Sequence, residues 1–232
     1  MKNPIVVALD VDDINKAQKL VKELLPFVGG FKVGPRLTFR APQTFLKEIS
    51  KESLLFFDHK FFDIPSTTVA AVRVAAEMGA HWITVHALNG PECLRELKKL
   101  EIEIRKTRAD FRVAVVTVLT SFKEETLPPI WKKESVEQSV KSLTASAMEA
   151  GLETLVCSPL EIPTLRKLFP KSFLIVPGIR TEGSDAGDQK RTATPHGALK
   201  AGASALVIGR SILESSNPVE AVQAILKSLS QV

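Results

Sequence analysis

Short apolar runs recur along the chain, most of them separated by amphipathic stretches, so the pattern switches between a period of two and one of 3.6. The strand-like runs fall at residues 4–10, 29–34, 54–60, 82–88, 112–120, 154–158, 173–179 and 205–209. Between the first two, Asp12 or Asp13 can cap a helix whose apolar stripe is Ile14, Ala17, Leu20, Val21 and Leu24. Ser66 is the expected cap of the next clear helix, and Gly79 its end. Pro91 suits a first helical position, Gly151 closes the helix before the sixth strand, and Asn217-Pro218 opens the last helix. That last helix places Val219, Val222, Ile225, Leu226 and Leu229 on one face. Strands alternating with helices imply parallel pairing through right-handed crossovers. Eight such units predict a small single-domain (β/α)8 barrel, a TIM barrel, spanning residues 1–232, with an open doubly wound sheet as the weaker alternative.

Composition narrows the partners rather than the fold. An apolar fraction of 44% with 25% charged residues is ordinary for a globular protein with a sizeable core. The formal charge of +5 suits an anionic small molecule as well as a nucleic acid. The Lys and Arg residues are scattered without a dense run, so a nucleic-acid partner is not expected. Cys93 and Cys157 stand in no metal or redox spacing, which points to a reducing compartment. The opening run Pro4-Ile5-Val6-Val7-Ala8-Leu9 is too short for a signal sequence, and no run approaches the ~18 residues of a membrane span. The expectation is a cytoplasmic protein with no membrane contact.

In such barrels the chemistry sits at the C-terminal ends of the strands. Those ends carry Asp10, Lys32, Asp58 with Lys60, His86, Thr120, Pro177 to Arg180, and Gly209-Arg210. Polar and charged groups therefore collect where a site belongs. The densest cluster follows the third strand, in Phe57-Asp58-His59-Lys60-Phe61-Phe62-Asp63-Ile64-Pro65-Ser66-Thr67. Two carboxylates and an ammonium within six residues are costly unless they serve one another or a ligand.

This segment resembles the Asp-x-Lys-x-x-Asp-Ile-Pro-x-Thr signature of the orotidine 5′-phosphate decarboxylases, and the resemblance extends along nearly the whole chain. Ala8-Leu9-Asp10 is similar to the family's first-strand carboxylate, and Phe31-Lys32-Val33-Gly34 to its second-strand lysine. Val85-His86-Ala87 matches the fourth strand and Val118-Leu119-Thr120-Ser121 the pyrimidine-facing fifth. Pro177-Gly178-Ile179-Arg180, Asp188-Gln189 and Ile208-Gly209-Arg210-Ser211 resemble its phosphate grip. Order and spacing agree with the bacterial branch. The departures are Phe62 for a histidine, Ser66 for an asparagine, His59 for an aliphatic residue, Pro35, and Leu88-Asn89 for small residues. None falls on a charged catalytic position.

The resemblance implies decarboxylation of orotidine 5′-phosphate to UMP without a metal or organic cofactor. Loss of CO2 leaves a carbanion at C6 in the ring plane, where no carbonyl can delocalise it. Lys60 fits the cation that stabilises this carbanion and then protonates it; Asp58, Asp63 and Lys32 complete the charged array. Asp58 would face the substrate carboxylate, where two charges ~4 Å apart repel by roughly 4 kcal/mol at an effective dielectric near 20. Asp10 and Lys32 suit the ribose hydroxyls, Thr120 and Ser121 the pyrimidine edge, and Pro177, Arg180, Gln189, Gly209 and Arg210 the phosphate side. The long polar segment Thr181 to Lys190 suits a closing loop. By the same resemblance the protein is a homodimer in which Asp63 and Thr67 reach the partner's site. His86 is divided between lining the barrel and simple packing, and His59, His81 and His196 show no metal spacing.

Two rival readings remain at this level. Hexulose-phosphate synthases and 3-keto-gulonate-phosphate decarboxylases share the third-strand motif but use Mg2+ and carry a glutamate where this chain has Lys32. A non-catalytic, nucleotide-sensing barrel could keep Gln189 and Arg210 but would have no need of Asp10, Lys32, Asp58, Lys60 and Asp63 together.

Overall fold

The computed structural model describes residues 3–122, 124–129, 134–180 and 192–230. Eight short strands follow one another around a closed barrel: β1 (Ile5–Ala8), β2 (Gly30–Val33), β3 (Leu54–Phe61), β4 (Trp82–His86), β5 (Arg112–Val116), β6 (Thr154–Val156), β7 (Phe173–Val176) and β8 (Ala205–Ile208). Every neighbouring pair is parallel, and β8 closes on β1 with Val207 opposite Val6.

The outer ring consists of α1 (Ile14–Leu24), α2 (Pro35–Thr38), α3 (Gln43–Glu52), α4 (Pro65–Glu77), α5 (Gly90–Arg105), α6 (Val136–Glu149), α7 (Ile162–Leu168), α8 (Pro195–Ala201), α9 (Arg210–Leu213) and α10 (Pro218–Leu229). Asp13 caps α1 by accepting from the amides of Asn15 and Lys16, and Ala17, Leu20 and Leu24 form its buried stripe. Asn217 caps α10 in the same way, burying Val222 and Ile225. Gly79 and Gly151 follow α4 and α6 with φ of 106° and 84°, the left-handed conformation that ends helices and that only glycine adopts freely.

Most strands are shorter than in the sequence reading, and three boundaries differ for a visible reason. Ser66 does not cap α4: Ile64 holds the cap position and Pro65 begins the helix, because its fixed φ and absent N–H suit the first turn. The fifth strand ends at Val116 rather than residue 120, because its neighbours end at His86 and Val156 and leave nothing to pair with. The fourth ends at His86, where a short 3-10 turn, Ala87–Asn89, begins.

Alternation along the strands sorts side chains into two cores. One, between strands and helices, includes Ile5, Val7, Phe31, Leu55, Phe57, Ile83 and Val85. The other fills the barrel with Val6, Ala8, Phe56, Trp82, Ala114, Ile175, Ala205 and Val207. Beneath it the Arg112 guanidinium lies 4.2 Å from the Phe173 ring centroid. Gly30 lets β2 and β3 approach, since a Cβ there would lie 2.3 Å from the Leu54 carbonyl oxygen. The barrel is thus plugged below and polar above.

Candidate active site

A cavity of about 740 Å3 opens at the C-terminal rim, floored by apolar side chains such as Phe56, Val156 and Ile175. On one wall, adjacency of β1, β2 and β3 brings four charges into a line. Lys32 Nζ lies 3.1 Å from Asp10 Oδ1 and 3.2 Å from Asp58 Oδ2, while Lys60 Nζ lies 2.8 Å from Asp58 Oδ1. Asp58 thus gives one oxygen to each ammonium. Burial alone would raise its pKa, but Lys32 and then Lys60 outweigh that and hold the carboxyl well below the usual carboxylate range. Burial likewise works against the Lys32 ammonium, yet Asp58 and Asp10 more than offset it and raise its pKa. Lys32 is only 8% exposed, so its pairing with the largely buried Asp58 carboxylate is shielded from solvent, whereas Asp10 is exposed.

Lys60 is presented by an irregularity. The pairing of β3 with β4 passes from Phe57 opposite Ile83 to Phe61 opposite Val85, so three residues of β3 fall outside the ladder. Within this bulge Lys60 has φ of 52°, the left-handed conformation that costs a residue bearing a Cβ roughly 1–2 kcal/mol.

The rest of the rim carries Thr120, Ser121, Pro177, Arg180, Gly209 and Arg210, the last two following β8 beside β1. Gly178 turns the chain there with φ of 80°. The Arg180 amide donates to Ala193 and the Ala193 amide to Gly178, tying the segment after β7 to the start of α8. Arg180 is buried and its Nη1 donates to the Ile179 carbonyl. Ten of the residues singled out by sequence therefore line one cavity: Asp10, Lys32, Asp58, Lys60, Thr120, Ser121, Pro177, Arg180, Gly209 and Arg210. Gln189 and the segment Thr181 to Lys190 lie outside the described residues.

Asp63 and Thr67 are not in that cavity. Both are exposed at the start of α4, and no ion pair to Asp63 occurs among the described residues. The Asp63 amide donates to Asn89 Oδ1, and Asn89 Nδ2 donates to the carbonyls of Phe61 and His86. Around Asp63 the surface is apolar: Phe62 is 62% and Ile64 64% exposed, and Leu88 is also exposed.

His86 is not a free base. Its Nδ1 accepts from the Leu88 amide, and burial, followed by the Lys60 charge, lowers its pKa. His59 lies outside the cavity, stacked on Phe61 with its Nε2 3.1 Å from Thr38 Oγ1. Among the described residues no group of three or more His, Cys, Asp or Glu side chains could hold a metal ion. No helix among them is long and apolar enough to cross a membrane.

Sequence reasoning missed Arg36, whose Nη1 donates to the Asp10 carbonyl at the cavity edge, as well as Thr84 and Asn89. Thr84 was open to detection: alternation puts it on the inward face with Trp82, one step below His86. Arg36 lies in the four-residue α2 and Asn89 in the 3-10 turn Ala87–Asn89, segments too short for periodicity to point a side chain anywhere.

Fold and cavity together define a (β/α)8 barrel with an ionic cleft at the strand C-termini. A family model described as "Orotidine 5'-phosphate decarboxylase / HUMPS family" matches residues 3–225, and the chain belongs to that family. An orotidine 5'-phosphate decarboxylase of Shewanella sediminis is 41% identical over 229 residues, covering 98% of this chain and 97% of the relative. One of Psychromonas ingrahamii is 40% identical over 227 residues, covering 97% and 96%. A crystal structure of orotidine 5'-phosphate decarboxylase from Lactobacillus acidophilus superposes with a TM-score of 0.84 at 30% identity, covering 98% of this chain and 99% of that one.

Proposed function

We propose that this chain decarboxylates orotidine 5′-phosphate to UMP and CO2, the last step of de novo UMP synthesis. The observation that carries the reading is the unbroken run Asp10–Lys32–Asp58–Lys60, with each ammonium against a carboxylate, sharing one cavity with Arg180 and Arg210. The C6–carboxylate bond breaks, CO2 departs, and the electron pair stays on C6. The Lys60 ammonium stabilises that pair and transfers a proton to it; water then reprotonates the amine. Positioned proton transfer contributes roughly 10² to 10⁴ in rate, and a preorganised charge in a water-poor site adds to it. Asp58, ionised throughout the accessible pH range, repels the substrate carboxylate and loses that repulsion once the carboxylate leaves as neutral CO2.

At the other end, Arg180 and Arg210 take the phosphate with Gln189 and the backbone at Gly209. A Cβ at Gly209 would meet no protein atom closer than 3.5 Å, which leaves its backbone open to an anion on the cavity side. Pro177 shapes that wall, Thr120 and Ser121 meet the pyrimidine edge, and Asp10 with Lys32 meets the ribose. A homodimer completes the site, with Asp63 and Thr67 projecting into the partner. The exposed Phe62, Ile64 and Leu88 around Asp63 support a covered interface there. A cytoplasmic location fits the two reduced, buried thiols.

The Mg2+-dependent rival is disfavoured by Lys32. Its ammonium sits between Asp10 and Asp58, where it would repel a divalent ion. Incubation with orotidine 5′-phosphate should convert it to UMP with loss of its ultraviolet absorbance, and prolonged EDTA treatment should leave the rate unchanged. Lys60→Ala should lose at least about 10²-fold in kcat while still binding UMP. No turnover by the wild type, or an EDTA-induced loss restored by Mg2+, would overturn the reading.

A further inference from the structure

The bulge that presents Lys60 needs an anchor, because Lys60 lies in the stretch of β3 that the ladder skips. The anchor is Thr84, on the inward face of β4 and 0% exposed. Its Oγ1 accepts from the Lys60 amide at 2.8 Å. Having one proton of its own, the hydroxyl can donate to Asp58 Oδ1 at 3.1 Å; the Phe57 carbonyl is the more distant acceptor at 3.4 Å. Asp58 Oδ1 in turn accepts from Lys60 Nζ at 2.8 Å. The contacts form a loop that begins and ends on Lys60: amide to Thr84, Thr84 to Asp58, Asp58 to ammonium. One hydroxyl holds both ends of the same lysine.

We propose that Thr84 is a positioning residue for this reaction, fixing the left-handed Lys60 backbone and orienting the Asp58 carboxylate between Lys32 and Lys60. Thr84 need not touch the substrate; it acts through the two groups that do. An unpaired amide in the bulge would let the backbone relax toward negative φ, swinging the ammonium away from the reacting carbon. Without the hydroxyl, Asp58 Oδ1 would keep only the ammonium of the flexible Lys60 side chain, freeing the carboxylate to rotate out of its one-oxygen-per-lysine arrangement. Displacement of a catalytic group by about 1 Å can cost on the order of 10² in rate. Substrate affinity should respond much less, since the Thr84 hydroxyl bonds to β3 and to none of the residues assigned to the phosphate and the pyrimidine. A residue that only filled space would show the reverse dependence, on side-chain volume rather than on the hydroxyl.

This inference rests on the decarboxylase reading, and a hydroxyl comparison separates the two. Thr84→Val keeps the volume and removes the hydroxyl; Thr84→Ser keeps the hydroxyl and removes a methyl. Turnover of orotidine 5′-phosphate and the Kd for UMP would be measured for both, with urea midpoints as the check on folding. Thr84→Val should lower kcat about 10- to 100-fold with the UMP Kd within about threefold of wild type, and Thr84→Ser should recover kcat to within about threefold. If Thr84→Val does not fold, Thr84→Ala takes its place, and its kcat should fall at least about tenfold below that of Thr84→Ser. Equal kcat in the hydroxyl-bearing and hydroxyl-less variants, or a loss confined to UMP affinity, would overturn the assignment alone. A wild type that leaves orotidine 5′-phosphate unchanged would overturn both readings.

Discussion

Lys60 is the only non-glycine residue with positive φ among the described residues. The fold would be relieved by losing its side chain, so site and stability pull in opposite directions here. Lys60→Gly and Lys60→Ala both remove the ammonium, but only glycine adopts φ of 52° without strain. Lys60→Gly should therefore be the more stable by about 1 kcal/mol in urea denaturation, although both should lose activity. Equal stability would mean that the bulge relaxes once the ammonium is gone.

The imidazoles give a second prediction at this scale. Burial comes first in lowering the pKa of His59, His81 and His86. With folded values below the unfolded ~6.5, the unfolded chain binds more protons once the pH falls through that value. Stability should therefore be fully present above about pH 7 and decline as the pH falls below about 6.5. The urea midpoint should drop between pH 7.5 and 5.5, and His59→Leu should reduce the drop. Asp58 adds no slope in that window, because its folded pKa lies below the usual carboxylate range and its contribution is lost only in stronger acid. A midpoint flat across this interval would contradict the lowered pKa of these half-buried imidazoles.

At the scale of elements, the turn from β3 into α4 is held from outside by the turn after β4. Asn89 uses both ends of its amide: Nδ2 donates to Phe61 and His86, and Oδ1 accepts from the Asp63 amide and Thr68 Oγ1. Asn89→Ala would leave two carbonyls and one amide without these partners. The loss should be about 1–3 kcal/mol in unfolding free energy, and an unchanged urea midpoint would show that water replaces the amide.

The strands were legible from sequence because their apolar runs are bounded by polar residues and flanked by helices of the opposite period. The ionic line was legible because alternation puts Asp58 and Lys60 on one face. The bulge between them was not, since Phe57-Asp58-His59-Lys60-Phe61 reads as regular strand and only the register against β4 reveals the skipped residues. Pro65, overlooked beside Ser66, shows a backbone constraint prevailing over a side-chain cap. Asn89, flagged only as a departure from the family's small residues, proved to be a four-contact tie.

For the whole molecule, the proposed dimer makes a quantitative prediction. Lys60→Ala and Asp63→Ala homodimers should each be nearly inactive if every site draws Lys60 from one subunit and Asp63 from the other. Random exchange then places both losses in one site of a mixed dimer and leaves the second intact. Half the dimers are mixed, so about a quarter of wild-type activity per site should return after mixing. No recovery after demonstrated exchange would place Asp63 with Lys60 in the same subunit.

The filled barrel imposes a traffic rule on this chemistry. Phe56, Trp82 and Ile175 block the interior, with Arg112 and Phe173 stacked beneath them, so among the described residues the cleft opens at the strand C-termini and not through the barrel. Substrate, nucleotide product and gas share that doorway. On the proposed chemistry, carbon dioxide released against Asp58 and Lys60 has to leave by the way the nucleotide entered.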